Sequence, residues 1–374
     1  MARAPVTRTL ASLTALLIAS VVVAPALAGP TRAQRAQSRD SLANIIERVD
    51  RTTAHRYGAK DDRGAPLEGL KVVQVNGRNI GIYHAPGRGR FNIHVATSDD
   101  LISWKRRETI DEDASQPTIA VLAGGSLLVA YEKTTLVDLL PRPPATLEQL
   151  LHNPLKILDD PFNRIRLRFR YYRSANDLLD GRVAREFTAA RVLSPTAEGT
   201  PSITNATLRG GLISRSRIEV GLHYFANAAG QPQLDRRATG VLTNFRSWEE
   251  RARPDLDAEF LGVKARHDGF SMSPAGSIGD RDQIIFGGVR LELQEVQYLP
   301  NNFGSWRTFL VDTRGRAPTP LQIATNGGSR SFGNPSVTEL TAPSGRRALF
   351  MSVYVFSEGA AKGEAGPLIY YRER

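Results

Sequence analysis

An all-β fold, a five-bladed β-propeller, is the architecture this sequence predicts, and two observations carry the prediction. From Leu70 onward the chain breaks into short β-rich runs punctuated by Gly, Pro, Asn and Asp. Those runs also recur in a fixed order. Five segments end a strand with similar chemistry: "FNIHVATSDDLISW", "RLRFRYYRSANDLL", "RRATGVLTNFRSW", "EVQYLPNNFGSW" and the terminal "GPLIYYRER". Inner strands of another kind alternate with them: "EGLKVVQV", "SQPTIAVL", "GTPSITNA", "HDGFSMSP" and "GNPSVTEL". A more apolar second strand follows each, such as "NIGIYH", "SLLVAYE" or "QIIFGGV". A four-stranded unit repeating every ~50 to 85 residues is the rhythm of a propeller blade.

The last copy stops at its third strand, at Arg374, which would leave an open edge. The segment around Arg48 to Tyr57 is the expected source of the missing outer strand. Residues 29–68 therefore form a polar N-terminal segment that closes the ring, with a helical patch at "SLANIIERVD", and residues 69–374 form the propeller. A long insertion at 135–163 separates the second and third strands of the second blade. Its "ATLEQLLHN" predicts a short helix with Leu147, Leu150 and Leu151 on one side. The insertion either walls the face beyond Glu132 or merely lengthens a loop.

Residues 1–28 have the form of an export signal: Arg3 and Arg8, then the apolar run Leu10 to Ala24, then Ala26-Leu27-Ala28. The run is too short for a membrane span, so a secreted, extracellular, monomeric chain with no membrane span is expected. The absence of cysteine excludes disulfides and thiolate metal sites. A chain of about 345 residues buries a core large enough to be stable without them. The net charge is +11, of which Arg3 and Arg8 account for two. The remaining basic residues are scattered, without a run of like charges or an interleaved aromatic series, so no nucleic-acid partner is expected.

The stretch Ser98-Asp99-Asp100-Leu101-Ile102-Ser103-Trp104 resembles the strand-end motif of five-bladed glycoside hydrolases of the arabinanase, xylosidase and invertase type, families 43, 62 and 32. It is less similar to the Asp-box of sialidases, whose glycine is absent here. In both groups the motif turns the chain between third and outer strands, so Asp99, Asp100 and Trp104 are expected to be structural. The resemblance covers most of residues 68–374 in rhythm and only short motifs in letters, and it implies a fold more strongly than an activity.

Propeller topology brings the starts of inner strands and the ends of second strands to one face. That places Gln116, Asp268 and Asn334 beside Tyr83, His84, Tyr131, Glu132 and His223, with Arg266 and His267 flanking Asp268. Glycoside hydrolysis needs two carboxyls in different roles. Asp268, in "RHDGF" at the start of the fourth inner strand, is the first candidate, held ionised by Arg266 and His267; the competing assignment is a turn cap. Glu132, at the end of an apolar strand, is the second, against a plain strand end paired with Lys133. Glu198, in "AEGTPSI", resembles the Glu-Gly-Pro segment that carries the general acid in family 43, with a threonine intruding before the proline. The sugar-binding candidates are Tyr83, His84, Gln116, Tyr131, His223, Arg266, His267 and Asn334. No metal or cofactor is expected.

The resemblance also implies an aspartate at the start of each of the first two inner strands, where this chain has Glu68 and Gln116. A glutamine still hydrogen-bonds a hydroxyl but carries no charge. The expected function is a secreted glycoside hydrolase acting on a poly- or oligosaccharide. The alternative is a non-catalytic, lectin-like glycan- or wall-binding propeller.

Overall fold

The computed structural model describes residues 29–87, 90–134, 165–194, 197–226, 234–260, 276–314 and 318–374. Residues 1–28, expected to be an export signal, and the 135–163 insertion fall outside them. Helix α1 (Arg32–Ile46) begins at a capping box: the Thr31 side chain accepts the Gln34 N–H while Gln34 returns to the Thr31 backbone. Its Leu42 and Ile46, with Val49 just beyond, are buried in a cluster that also holds Leu291, Leu310, Val337 and Met351. Strand β1 (Ala54–Arg56) follows. Among the described residues no helix is long and apolar enough to cross a membrane.

Four consecutive antiparallel sheets come next. The first is β2 (Glu68–Val75), β3 (Arg78–Pro86), β4 (Phe91–Ser98) and β5 (Lys105–Asp111). The second is β6 (Ala114–Val121), β7 (Leu127–Thr134), β8 (Ile165–Tyr172) and β9 (Arg185–Thr188). The third is β10 (Glu198–Leu208), β11 (Ser216–Phe225), β12 (Asp235–Thr243) and β13 (Ser247–Ala252). The fourth is β14 (Ser277–Phe286), β15 (Val289–Gln297), β16 (Trp306–Asp312) and β17 (Thr319–Pro320). The fifth sheet takes β18 (Phe332–Thr341), β19 (Arg347–Val355) and β20 (Gly366–Glu373) from the C-terminus and β1 from the N-terminus, with Ala54 opposite Tyr371 and Arg56 opposite Ile369. The result is a five-bladed β-propeller whose two chain ends meet in one blade.

Apolar side chains pack between neighbouring blades. Leu70, Tyr83 and Trp104 of the first blade meet Phe350 and Ile369 of the fifth, and Ile82 and Val95 meet Ile119 and Val129 of the second. The Ser98–Trp104 stretch is the corner between β4 and β5. Ser98 Oγ accepts the Leu101 N–H at 2.8 Å, and Asp100 Oδ1 accepts the N–H groups of Ile102 and Ser103 at 2.9 and 2.6 Å. Leu101 adopts φ 67, and the buried Trp104 donates its Nε1–H to the Leu101 carbonyl. Asp99 points into solvent. The acidic appearance of the stretch is turn chemistry.

The fourth blade corrects the sequence reading. Its inner strand is β14, beginning at Ser277, so "HDGFSMSP" is not that strand and Asp268 does not open it. Asp268, Arg266 and His267 lie outside the described residues. "QIIFGGV" is the end of β14 and the start of β15 rather than one strand, because Gly287 and Gly288, at φ 57 and 76, form the two-residue hairpin turn. Trp306 therefore starts the third strand, not the outer one. The segments "TNFRSW" and "NNFGSW" look alike, yet the first precedes an outer strand and the second precedes β16 on the opposite end of its blade.

Deleting residues 29–57 removes β1 and the buried Leu42, Ile46 and Val49, each contributing about 1.5–3 kcal/mol, and bares the edge of β20. Thermal unfolding of residues 58–374 is expected to show a transition lower by more than about 10 °C, with association through the open edge detectable by light scattering.

Candidate functional site

Each inner strand carries a β-bulge near its start, where the register with the second strand shifts: Glu68/Lys71, Ser115/Thr118, Gly199/Ser202, Asp280/Asp282 and Gly333/Ser336. At Gly69, Gln116, Thr200 and Asn334 the bulge residue has positive φ, from 47 to 60. A bulge turns the chain and re-aims side chains, here toward the central channel. In four blades the second-strand residue at the last regular pair before the bulge is His84, Glu132, His223 or Tyr354, and in the fourth blade Glu295, opposite Gly279, stands one pair earlier. Together they form a ring, one member per blade, on the face where inner strands begin.

Three members of the ring accept the N–H of the bulge residue in the following blade. His84 Nδ1 accepts from Gln116 at 3.3 Å, Glu132 Oε1 from Thr200 at 2.7 Å, and Glu295 Oε2 from Asn334 at 2.5 Å. Glycines make room for them: a Cβ on Gly199 would overlap Glu132 Oε1, and one on Gly279 would overlap the His223 ring. Accepting that bond leaves Nδ1 of His84 unprotonated, and Nε2 faces Glu68 Oε2 at 3.5 Å. Thr200 is β-branched, and its left-handed backbone is strained. Glu132 holds it there through both N–H and Oγ1–H (2.9 Å), while Ser115 Oγ donates to Glu132 Oε2 at 2.6 Å.

Beside the ring lies a cavity of about 260 Å³ formed by the second to fifth blades. Glu132, His223, Asp235 and Glu295 line it with Gln116, Thr200 and Asn334. Aromatic side chains line it as well, with Phe356 beside Glu295 about Gly333. Trp306 and Phe356 lie nearly parallel, 20° apart with centroids 5.9 Å apart, and Phe303 packs on Phe356 at 5.5 Å. Carboxylates and aromatic rings in one cavity suit a saccharide, which offers hydroxyls at its rim and C–H groups on its faces.

Of the residues singled out in the sequence, Glu132, His223, Gln116 and Asn334 line this cavity. His84 belongs to the ring but is buried beneath Phe91 at 4.8 Å. Tyr83 and Tyr131 do not reach the cavity. Each is one residue from a ring position, so strand alternation points it into the space between blades. Tyr83 donates to Asp61 at 2.5 Å and Tyr131 to Asp111 at 2.7 Å, and burial followed by the neighbouring carboxylate holds both phenols well above their ordinary value.

Glu198 is also turned away. Its Oε1 accepts the N–H groups of Val192, Leu193 and Ser194 at 2.8, 2.6 and 2.8 Å, and Glu250 Oε1 shares the first two at 3.0 and 3.2 Å. Burial first, and the adjoining Glu250 second, push its carboxyl up to about 8. Among the cavity residues that the sequence reading missed are Glu295, Asp235, Trp306, Phe303 and Phe356. The shifted fourth blade hid Glu295 and Trp306, since "LELQEVQ" carries Glu295 at the ring position only when it is read as a second strand.

No protein-family model matches the chain, and no curated protein matches it. Solved structures share its fold. BT0996, solved as a complex with RGII, aligns with a TM-score of 0.51 at 8% identity, covering 91% of this protein and 96% of that one. An N-acetylgalactosamine deacetylase from F. plautii, solved with blood group B trisaccharide, gives 0.49 at 12% identity, covering 86% and 91%. A thermostable family-43 glycoside hydrolase gives 0.48 at 9% identity, covering 84% and 92%. At these identities the likeness is one of fold alone.

Two outcomes follow from this geometry. Gly199→Ala drives a methyl into Glu132, and is expected to cost about 1–3 kcal/mol in denaturant unfolding; an unchanged midpoint would show that Glu132 has room to move. Glu198, protonated in the fold above its ordinary range, contributes stability that is present at low pH and lost as pH rises toward about 8. Wild type should therefore lose melting temperature between about pH 5 and 8 relative to Glu198→Gln, in which that dependence is flattened.

Proposed function

We propose that the chain is a carbohydrate-active protein of the glycoside hydrolase type, which binds a saccharide against Trp306 and Phe356 and works on it with carboxylates of the same cavity. The observation that carries this reading is that Glu132 and Glu295, from alternate blades, line one cavity together with Trp306, Phe303 and Phe356. Hydrolysis of a glycosidic bond asks for two carboxyls flanking the scissile bond, one at the leaving oxygen and one on the far face of the anomeric carbon. All three hydrogen bonds to Glu132 come from donors, on Ser115 and Thr200, which suits a carboxylate acting as base or nucleophile. Glu295 is the second carboxyl, and Asp268 stays a candidate for the same chemistry. Gln116 and Asn334 offer neutral hydrogen bonds to sugar hydroxyls. An export signal, if cleaved after Ala28, would deliver the protein to an extracellular polysaccharide.

A second reading, a binding propeller without turnover, is favoured by two particular observations. Gln116 stands where a family 43 enzyme carries an aspartate. The described carboxyl with a raised titration point, Glu198, faces Glu250 rather than the cavity. The two readings separate on a panel of aryl glycosides and polysaccharides incubated with residues 29–374. The hydrolase reading expects turnover that falls by about 10²–10⁴ in Glu132→Gln or Glu295→Gln with saccharide binding retained. Saccharide binding without turnover in the wild type would establish the binding propeller, and turnover untouched by both substitutions would move the chemistry to other residues.

A further inference from the structure

Three loops of the site face meet where the fourth blade adjoins the fifth: residues 298–305, which carry Phe303; residues 321–331, which lead into β18; and residues 356–365, which begin with Phe356 and lead into β20. Glu364 ties the last two together and is only 4% exposed. Its Oε1 accepts the Gly327 N–H at 2.6 Å, and its Oε2 accepts the hydroxyls of Thr325 and Ser329, at 2.5 Å each. The direction of those bonds is fixed by their surroundings. Thr325 Oγ1 already accepts the N–H groups of Gly328 and Ser329, at 3.1 and 2.8 Å, and Ser329 Oγ accepts that of Ala361 at 2.9 Å, so each hydroxyl gives its one proton to the carboxylate. Burial works to raise the Glu364 carboxyl, and the bonds from Ser329 and Thr325 outweigh it, holding the group below its ordinary range. Gly327 lets the loop come this close, since a Cβ there would lie 2.7 Å from Ala361 Cβ and 3.1 Å from Glu364 Oε1.

The clamped loop in turn holds the rings of the cavity. Two residues beyond Ser329, the buried Ser331 donates its Oγ–H to the Phe303 carbonyl at 2.5 Å and accepts the Phe356 N–H on its own carbonyl at 3.2 Å. Between them the Arg330 N–H is bound to the Gly359 carbonyl at 2.8 Å, and Gly359 packs so tightly that a Cβ on it would sit 2.4 Å from Ser331 Cβ. Phe303 and Phe356 are therefore seated by a loop to which neither belongs. Phe303 is 47% exposed, so its placement rests on the backbone that carries it and on its contact with Phe356. Both rings line the cavity, and Glu364 is not among its described lining.

We propose that Glu364 is a positioning residue for the saccharide site: without touching the ligand, it fixes the loop 325–331 and so holds Phe303 and Phe356 in the arrangement on which a sugar stacks. Rings fixed in advance spare the ligand the entropy of ordering them. A glutamine cannot replace the carboxylate, because its amide end would turn N–H donors either toward the Gly327 N–H or toward the two hydroxyl protons. This inference rests on the reading of the cavity as a saccharide site.

The test compares residues 29–374 with the Glu364→Gln variant by hydrogen exchange and by calorimetric titration with xylotetraose, arabinotetraose, mannotetraose and cellotetraose. In the variant the Phe356 N–H is expected to exchange about tenfold faster, while the Thr200 N–H, held by Glu132, keeps its rate. At least one of the sugars is expected to bind the wild type, and to bind Glu364→Gln about tenfold more weakly. In a Phe303→Ala background the same substitution should cost less, because part of what it displaces is already gone; a fully additive loss would mark a general structural effect and overturn the positioning role. Ser329→Ala, which removes one donor to the carboxylate, carries the same test should Glu364→Gln fail to fold. Affinity within about twofold of the wild type, or an unchanged Phe356 exchange rate, would overturn the positioning role and leave the cavity standing. Failure of all four sugars to bind the wild type would overturn the cavity reading, and the positioning role with it.

Discussion

The structure depends on one repeated hydrogen bond, in which a side chain at the end of a second strand accepts the N–H of the bulge residue of the next blade. His84, Glu132 and Glu295 make it to Gln116, Thr200 and Asn334. The bulge residue has positive φ, a conformation disfavoured outside glycine, and its N–H faces the channel with no strand to pair with. Without an acceptor from the preceding blade, a buried donor and a strained backbone would both go uncompensated, at about 1–3 kcal/mol each. Apolar wedges hold blades together anywhere along their faces; this directional bond fixes the relative height of the first and second, second and third, and fourth and fifth blades.

The same economy builds the site. Groups that serve as clamps need to be polar, buried and aimed at the channel, and those are the requirements of a group that handles a ligand in a cavity. Glu132 and Glu295 meet both. Because their hydrogen bonds come from rigid backbone and short hydroxyls, their positions are set before any ligand arrives. Preorganisation has a counterpart: an oxygen engaged in the ring has fewer lone pairs for a substrate. Glu132 Oε1 takes two donors and Oε2 one, so it is Oε2 that has capacity to spare. The aromatic wall supplies what the carboxylates lack, an apolar face that water leaves readily.

Much of this was legible in the letters. Alternating strands, turn residues and recurrence were enough for five blades, and the missing outer strand at Arg374 pointed to a donor near Arg48 to Tyr57, where β1 lies. Glu132 and His223 were legible because they end apolar strands. What failed was parity and register. Tyr83 and Tyr131 sit one residue before ring positions, and a shift of one residue in a strand exchanges channel for core. Glu198 precedes a glycine that occupies the inward position, so the carboxylate faces outward. In the fourth blade, Gly287-Gly288 is a turn that the surrounding apolar residues disguise as strand, and "NNFGSW" repeats the letters of "TNFRSW" in another structural role. That slip moved Glu295 and Trp306 off the site.

The central claim is that the cavity beside the ring receives a saccharide, and is not only the space left by five interlocked blades. A crystal of residues 29–374 soaked in a mixture of neutral mono- and disaccharides tests it most directly. The account predicts a pyranose or furanose ring lying on Trp306 and Phe356, with its hydroxyls in hydrogen-bonding reach of Glu132 and Glu295. Sugar bound elsewhere, with ordered water alone in this cavity at saturating concentration, would contradict it.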